Sequence, residues 1–179
     1  MGAVRKSAYR SRSARGAPTS SELDLIRRLY VYNSRVRAKY LAAIWKLPLR
    51  ERYRNRGASY PSIVDIFLHV LDAYRLWFDE VYARGPPPNW YPLGQRFTIS
   101  EARREMRSID RRVAAVLRRL RPRDLDQKFS LPKRWKDPRP IELRELLVHM
   151  IEEELQHRGE MNALLWQVGR DPPVTGFDD

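Results

Sequence analysis

The sequence contains no cysteine. That excludes a disulfide framework, a cysteine-ligated zinc site, an iron–sulfur cluster and a thiol nucleophile supplied by the chain itself. Histidine is nearly as scarce. His69, His149 and His157 are the whole set, so any imidazole chemistry is confined to three positions. No apolar run approaches the roughly 18 residues of a membrane span, and no signal-peptide core is visible. The sequence therefore predicts a soluble, cytoplasmic protein without a membrane partner. Asn and Gln together number only eight.

What is abundant is arginine, with 29 Arg against 6 Lys and a formal net charge of +13. Few amides, no cysteine and many ionic side chains match the pattern of heat-adapted proteins, where the desolvation cost of ion pairs falls. A GC-rich genome enriches arginine as well. Apolar residues make up 42% of 179, enough for one substantial core and too many for a disordered chain. The positive charge permits contact with nucleic acid or an anionic surface, and equally fits a solvated exterior.

Part of that charge sits in a tail. Residues 1–18 carry Arg5, Lys6, Arg10, Arg12 and Arg15 and no acid. They show no apolar period, which predicts a flexible basic segment ahead of a single domain over 19–179. An arm for nucleic acid, a transit peptide and a leader without specific role all fit its composition. The last is the plainest.

Four long helices are expected. The first runs from Ser21 to about Leu47, with Leu25, Leu29, Tyr32, Val36, Tyr40 and Ala43 as its buried face and Pro48 as its stop. A basic connector, Leu49 to Pro61, follows. The second helix opens on Ser62 and Asp65, a variant capping box, and runs to about Tyr82. Its apolar residues lie on more than one side, which marks a central element or a subunit interface. Residues 83–99 hold five prolines or glycines before Gly94 and cannot be helical. Trp90 and Tyr91 are the expected anchors of this long loop. The third helix starts at Thr98 with Glu101 as a capping box and runs to about Leu120. Ala102, Met106, Ile109, Val113, Val116, Leu117 and Leu120 face the core, and seven arginines cover its other sides. Phe129 and Leu131 alternate with polar neighbours, consistent with a short hairpin. The fourth helix runs from about Ile141 to Val168, with Gly169 as its cap. The fold class is all-α, a four-helix bundle.

The fourth helix carries the chemistry. On a helical wheel centred on Leu143, Met150 and Met161, Glu154 falls about 20° from the centre of the apolar face, His157 about 40° and Glu153 about 80°. A buried carboxylate needs a cation, a proton or a metal. Glu153 and His157 are four apart, one above the other, the spacing at which a helix offers two ligands to one metal. His69 lies about 120° from the stripe of the second helix. By itself it reads as a half-exposed histidine near Asp65 and Asp72. With the fourth helix it completes a His–Glu–His set, suited to divalent Zn, Ni or Fe with positions left open. His149 reads as a boundary residue.

These segments together resemble the DinB/YfiT-like family of candidate metalloenzymes. The likeness covers about Leu25 to Asp178. It rests on Tyr32-Asn33, on Ser62 through His69 to Asp72 with Trp77 beyond, on His149, on His157-Arg158-Gly159-Glu160, and on Gly169 through Pro172-Pro173. The family's ligands are one histidine on helix two and a His-x-x-x-His pair on helix four. The resemblance therefore implies His69 and His157 as ligands, with Glu153 standing in for the third histidine and Glu154 as its rival. It implies a down-up-up-down bundle and a homodimer. It further implies a divalent-metal-dependent enzyme, a transferase using a low-molecular-weight thiol or a hydrolase using water. Glu154 or Glu160 would relay a proton, and the basic surroundings favour an anionic small-molecule substrate or thiol. Two alternatives stay open. One is a non-enzymatic bundle binding nucleic acid through the tail and third helix. The other is a degenerate, purely structural bundle in which Glu153 pairs with Arg158 or another arginine.

Overall fold

The computed structural model describes residues 22–134 and 139–176. The basic tail, and the far end of the family-like C-terminus, lie outside the described residues. Helix α1 spans Glu22–Trp45, the short α2 Leu49–Arg52, α3 Ile63–Tyr74, α4 Ile99–Arg119 and α5 Leu143–Gln167. The expected connector thus contains one helical turn, α2. Helix α3 continues directly into a π-helical segment, Arg75–Tyr82. A 3₁₀ turn, Pro122–Asp126, leads into the predicted hairpin. Its strands β1, Lys128–Phe129, and β2, Ile141–Glu142, pair antiparallel, with Phe129 opposite Ile141. Among the described residues no helix is long and apolar enough to cross a membrane.

Local chemistry sets the helix ends. Ser62 Oγ accepts from the Asp65 amide at 3.2 Å. At α4, Thr98 and Glu101 form the full reciprocal box. At the end of α5, Gly169 takes φ 66°. The Gly169 and Arg170 amides return to Trp166 and Leu165 carbonyls, a Schellman cap that suits a residue without Cβ.

Contacts between helices fix their directions. Tyr30 reaches the Leu147 carbonyl, Arg37 reaches Glu154 and Tyr40 reaches Asn162. These pairs advance together, so α1 and α5 are parallel. His69 meets Glu153 while Trp77 meets His149, so α3 runs against α5. Arg27 caps the Leu117 and Leu120 carbonyls and Arg37 meets Asp110, so α4 runs against α1. The bundle is therefore down-up-up-down. Parallel α3 and α4 require a crossover along the bundle, which residues 83–98 supply. Buried Asp72 accepts the Tyr91 amide and buried Asp65 the Gly94 amide, pinning that loop. Tyr91 anchors it as expected. Trp90 does not, being 46% exposed.

The core corrects one face. On α1 the buried residues are Leu23, Ile26, Tyr30, Asn33, Val36, Arg37, Tyr40, Leu41 and Ile44, while Leu25 is exposed. The apolar period points to a rotated stripe because Asn33 and Arg37, two polar residues, occupy core positions. On α3 every residue except His69 is buried. A helix this apolar belongs at the centre, and its one half-exposed position faces α5.

Candidate metal centre

His69 projects from the middle of α3 toward the third and fourth turns of α5. Its Nε2 lies 2.9 Å from Glu153 Oε1, and His157 Nε2 lies 3.1 Å from the same oxygen. One ligand atom from each of the three residues falls within 4.8 Å of the others. Ligands about 2.1 Å from a tetrahedral ion stand about 3.4 Å apart, so the three residues are near enough to hold one ion between them. Its other supports are local. The Tyr60 ring stacks on His69 with centroids 4.2 Å apart. His157 Nδ1 lies 3.3 Å from Glu160 Oε2, and Ser59 donates to Glu160. A ligating histidine whose second nitrogen meets a carboxylate is held in one tautomer and one orientation.

The electrostatics follow from those contacts. Hydrogen bonds from His157 and His69 hold the Glu153 carboxyl well below the usual range, against the opposing effect of burial. For His157 burial favours the neutral ring, yet hydrogen bonds to Glu153 and Glu160 and their charges outweigh it and raise its pKa. Both ring nitrogens of His157 face carboxylate oxygens, which only accept when ionised. The ring must donate from both, so the imidazolium is the favoured form.

Glu154 is not brought to this cluster. It is 2% exposed, and its two oxygens take Arg37 Nε and Nη2 at 3.3 and 3.0 Å. Tyr74 donates to it at 2.8 Å. Arg37 also reaches Asp110 at 3.0 Å and lies over the Tyr74 ring. Burial pushes the Tyr74 hydroxyl well up, so it remains a donor. Arg158 turns to Tyr32, Asn33 and Glu154, so the Glu153–Arg158 pair of the degenerate site is not formed. Glu154 therefore finds its cation in Arg37 of α1, and that is why it does not compete with Glu153. Tyr60 and Arg37 are the residues sequence reasoning misses. Tyr60 carries no local signal, whereas Arg37 falls within the apolar rows of α1.

Two cavities meet at the cluster. One of about 600 Å³ is walled by Trp77, Trp90, Leu131 and Ile141 and reaches His69 and Glu153, with His149 on its lining. Another of about 370 Å³ is bounded by Tyr60, His69, Asp72 and Leu93. Trp90 and His69 line both.

A down-up-up-down bundle with a His–Glu–His cluster between two of its helices defines the class. The chain belongs to the DinB family, whose profile matches residues 19–178. A DinB-like protein from Bacillus cereus ATCC 10987 shares the fold with a TM-score of 0.65 at 16% identity, over 84% of this chain and 95% of that one. A DinB-like protein from Bacillus subtilis does so with a TM-score of 0.59 at 16% identity, over 83% and 97%. No curated protein matches the chain.

Proposed function

We propose that this protein is a divalent-metal-dependent enzyme, a thiol-dependent transferase or a hydrolase, with His69, Glu153 and His157 as the protein ligands. The observation that carries it is the convergence of two imidazole nitrogens on one Glu153 oxygen, with the outer nitrogen of His157 on Glu160. Zn, Ni or Fe bound there supplies Lewis acidity that makes a thiol or a water nucleophilic near neutral pH. Because the chain has no cysteine, the thiol is a low-molecular-weight cosubstrate. The aromatic cavity beside His69 and Glu153 receives the substrate and excludes water from it. The chain's surplus of positive charge favours an anionic substrate or thiol. Glu160 holds the His157 ring and is the half-exposed carboxylate placed to pass its proton onward. Glu154, closed between Arg37 and Tyr74, serves the packing of α1 on α5 and leaves proton relay to Glu160. Val148, Leu155 and Trp166 are exposed on α5, which supports a homodimer through that helix.

The test is a thermal-shift series with Zn, Ni and Fe(II) against a chelator. An ion at a hundredfold excess over its Kd stabilises the fold by about 2.7 kcal/mol. Glu160→Gln is expected to weaken the ion about 10- to 100-fold without removing it. A melting temperature indifferent to every metal and to the chelator contradicts the proposal.

A further inference from the structure

On the far side of Arg37 from the histidines, α1 and α4 enclose a trough of about 770 Å³. Its apolar lining comes from exposed Val31 and from the outer edges of Tyr30, Val113 and Leu117, which are otherwise buried. Val31 is 60% exposed, an unusual position for a valine on a helix packed against its neighbour. Arg27 closes one end by binding the Leu117 and Leu120 carbonyls. On the α4 wall stand Arg111 and Arg118, neither of which forms an ion pair among the described residues. The one acid on the lining, Asp110, is already bridged to Arg37. The trough is thus an apolar surface with uncompensated guanidinium groups beside it. Arg111 and Arg118 lie seven residues apart, about 10 Å along the helix.

We propose that this trough binds an amphipathic carboxylate, a medium-chain fatty-acid anion. The chain lies along Val31, Val113 and Leu117, and the head pairs with Arg111 or Arg118. Guanidinium matches carboxylate geometry with two parallel hydrogen bonds. An uncharged chain would leave the arginines unpaired, and a small anion would leave the apolar lining wet. The volume is that of a small-molecule site. The inference is independent of the metal centre, because none of the three ligands lines the trough.

Calorimetric titration of the full chain, with chelator present, tests it. The probes are acetate, hexanoate, octanoate, decanoate and 1-decanol. Affinity is expected to rise about fourfold per methylene buried, with no binding of acetate and at least tenfold weaker binding of decanol than of decanoate. Arg111→Ala with Arg118→Ala should weaken decanoate tenfold or more. Val31→Asp, at an exposed position that tolerates polarity, should abolish binding at an unchanged melting temperature. His157→Ala should leave it intact. The proposal fails if decanoate does not bind or if its affinity ignores chain length. It fails equally if the trough variants leave affinity unchanged. Self-association lost on Val31→Asp, or capture of an oligonucleotide lost with the arginines, each without decanoate binding, overturns it in favour of a second copy or a nucleic acid.

Discussion

His157→Ala is expected to remove metal binding, lowering affinity by more than the hundredfold typical of losing an outer-shell partner. The side chain would supply one of the three proposed ligands and is fixed by Glu153 on one nitrogen and Glu160 on the other. The metal-dependent rise in melting temperature should vanish with it. The same residue sets the pH dependence. Its folded pKa is raised above the ordinary histidine value of about 6.5. In metal-free protein the imidazolium therefore contributes stability in full below about pH 6.5, lost as pH rises through the folded value. Metal binding would have the opposite sign, because a ligating imidazole must first give up a proton. Below the folded pKa each unit of pH lost weakens the metal about tenfold. Melting curves from pH 5 to 8.5, with and without Zn, should diverge as pH rises. Parallel curves would show that His157 does not meet the metal.

Arg37→Ala is expected to destabilise the fold by about 3 kcal/mol, because it removes the two-point guanidinium partner of the buried Glu154 carboxylate and leaves it only Arg158 at 3.7 Å. Asp110 loses its ion-pair partner and the Tyr74 ring the guanidinium stacked over it in the same step. Urea denaturation measures it. Replacing Arg37 and Glu154 together with apolar residues of similar volume should recover most of the loss, since a buried ion pair contributes little net stability against a well-packed apolar pair. That double variant should still bind metal. Loss of metal binding on Glu154→Gln, with Glu153 intact, would return Glu154 to the ligand set.

The bundle was legible wherever local rules acted alone. Thr98 with Glu101, Ser62 with Asp65, Pro48 and Gly169 mark helix ends through chemistry contained within a few residues. Even the small hairpin follows from the alternation at Phe129. The face of α1 was not legible, because Asn33 and Arg37 enter the core only by pairing with Arg158 and Glu154, more than a hundred positions away. The wheel of α5 puts Glu154 at the core centre, and its burial agrees. What periodicity cannot say is which partner awaits it there. His69 lies off the strongest stripe of α3, yet that helix is buried all round, so a stripe centre has little meaning on it. Only the antiparallel packing of α3 on α5 brings His69 to Glu153. Tyr60 arrives from a connector without periodicity, and the π-helical segment after Tyr74 has no recognisable signal.

Metal analysis is the most direct measurement. Protein stripped with chelator, incubated with Zn, Ni or Fe(II) and passed through gel filtration is assayed for metal per chain. One equivalent is expected on the native chain and none on a chain in which His69, Glu153 and His157 are all alanine. No metal on the native chain, or an equal amount on both, would contradict the proposed metal centre.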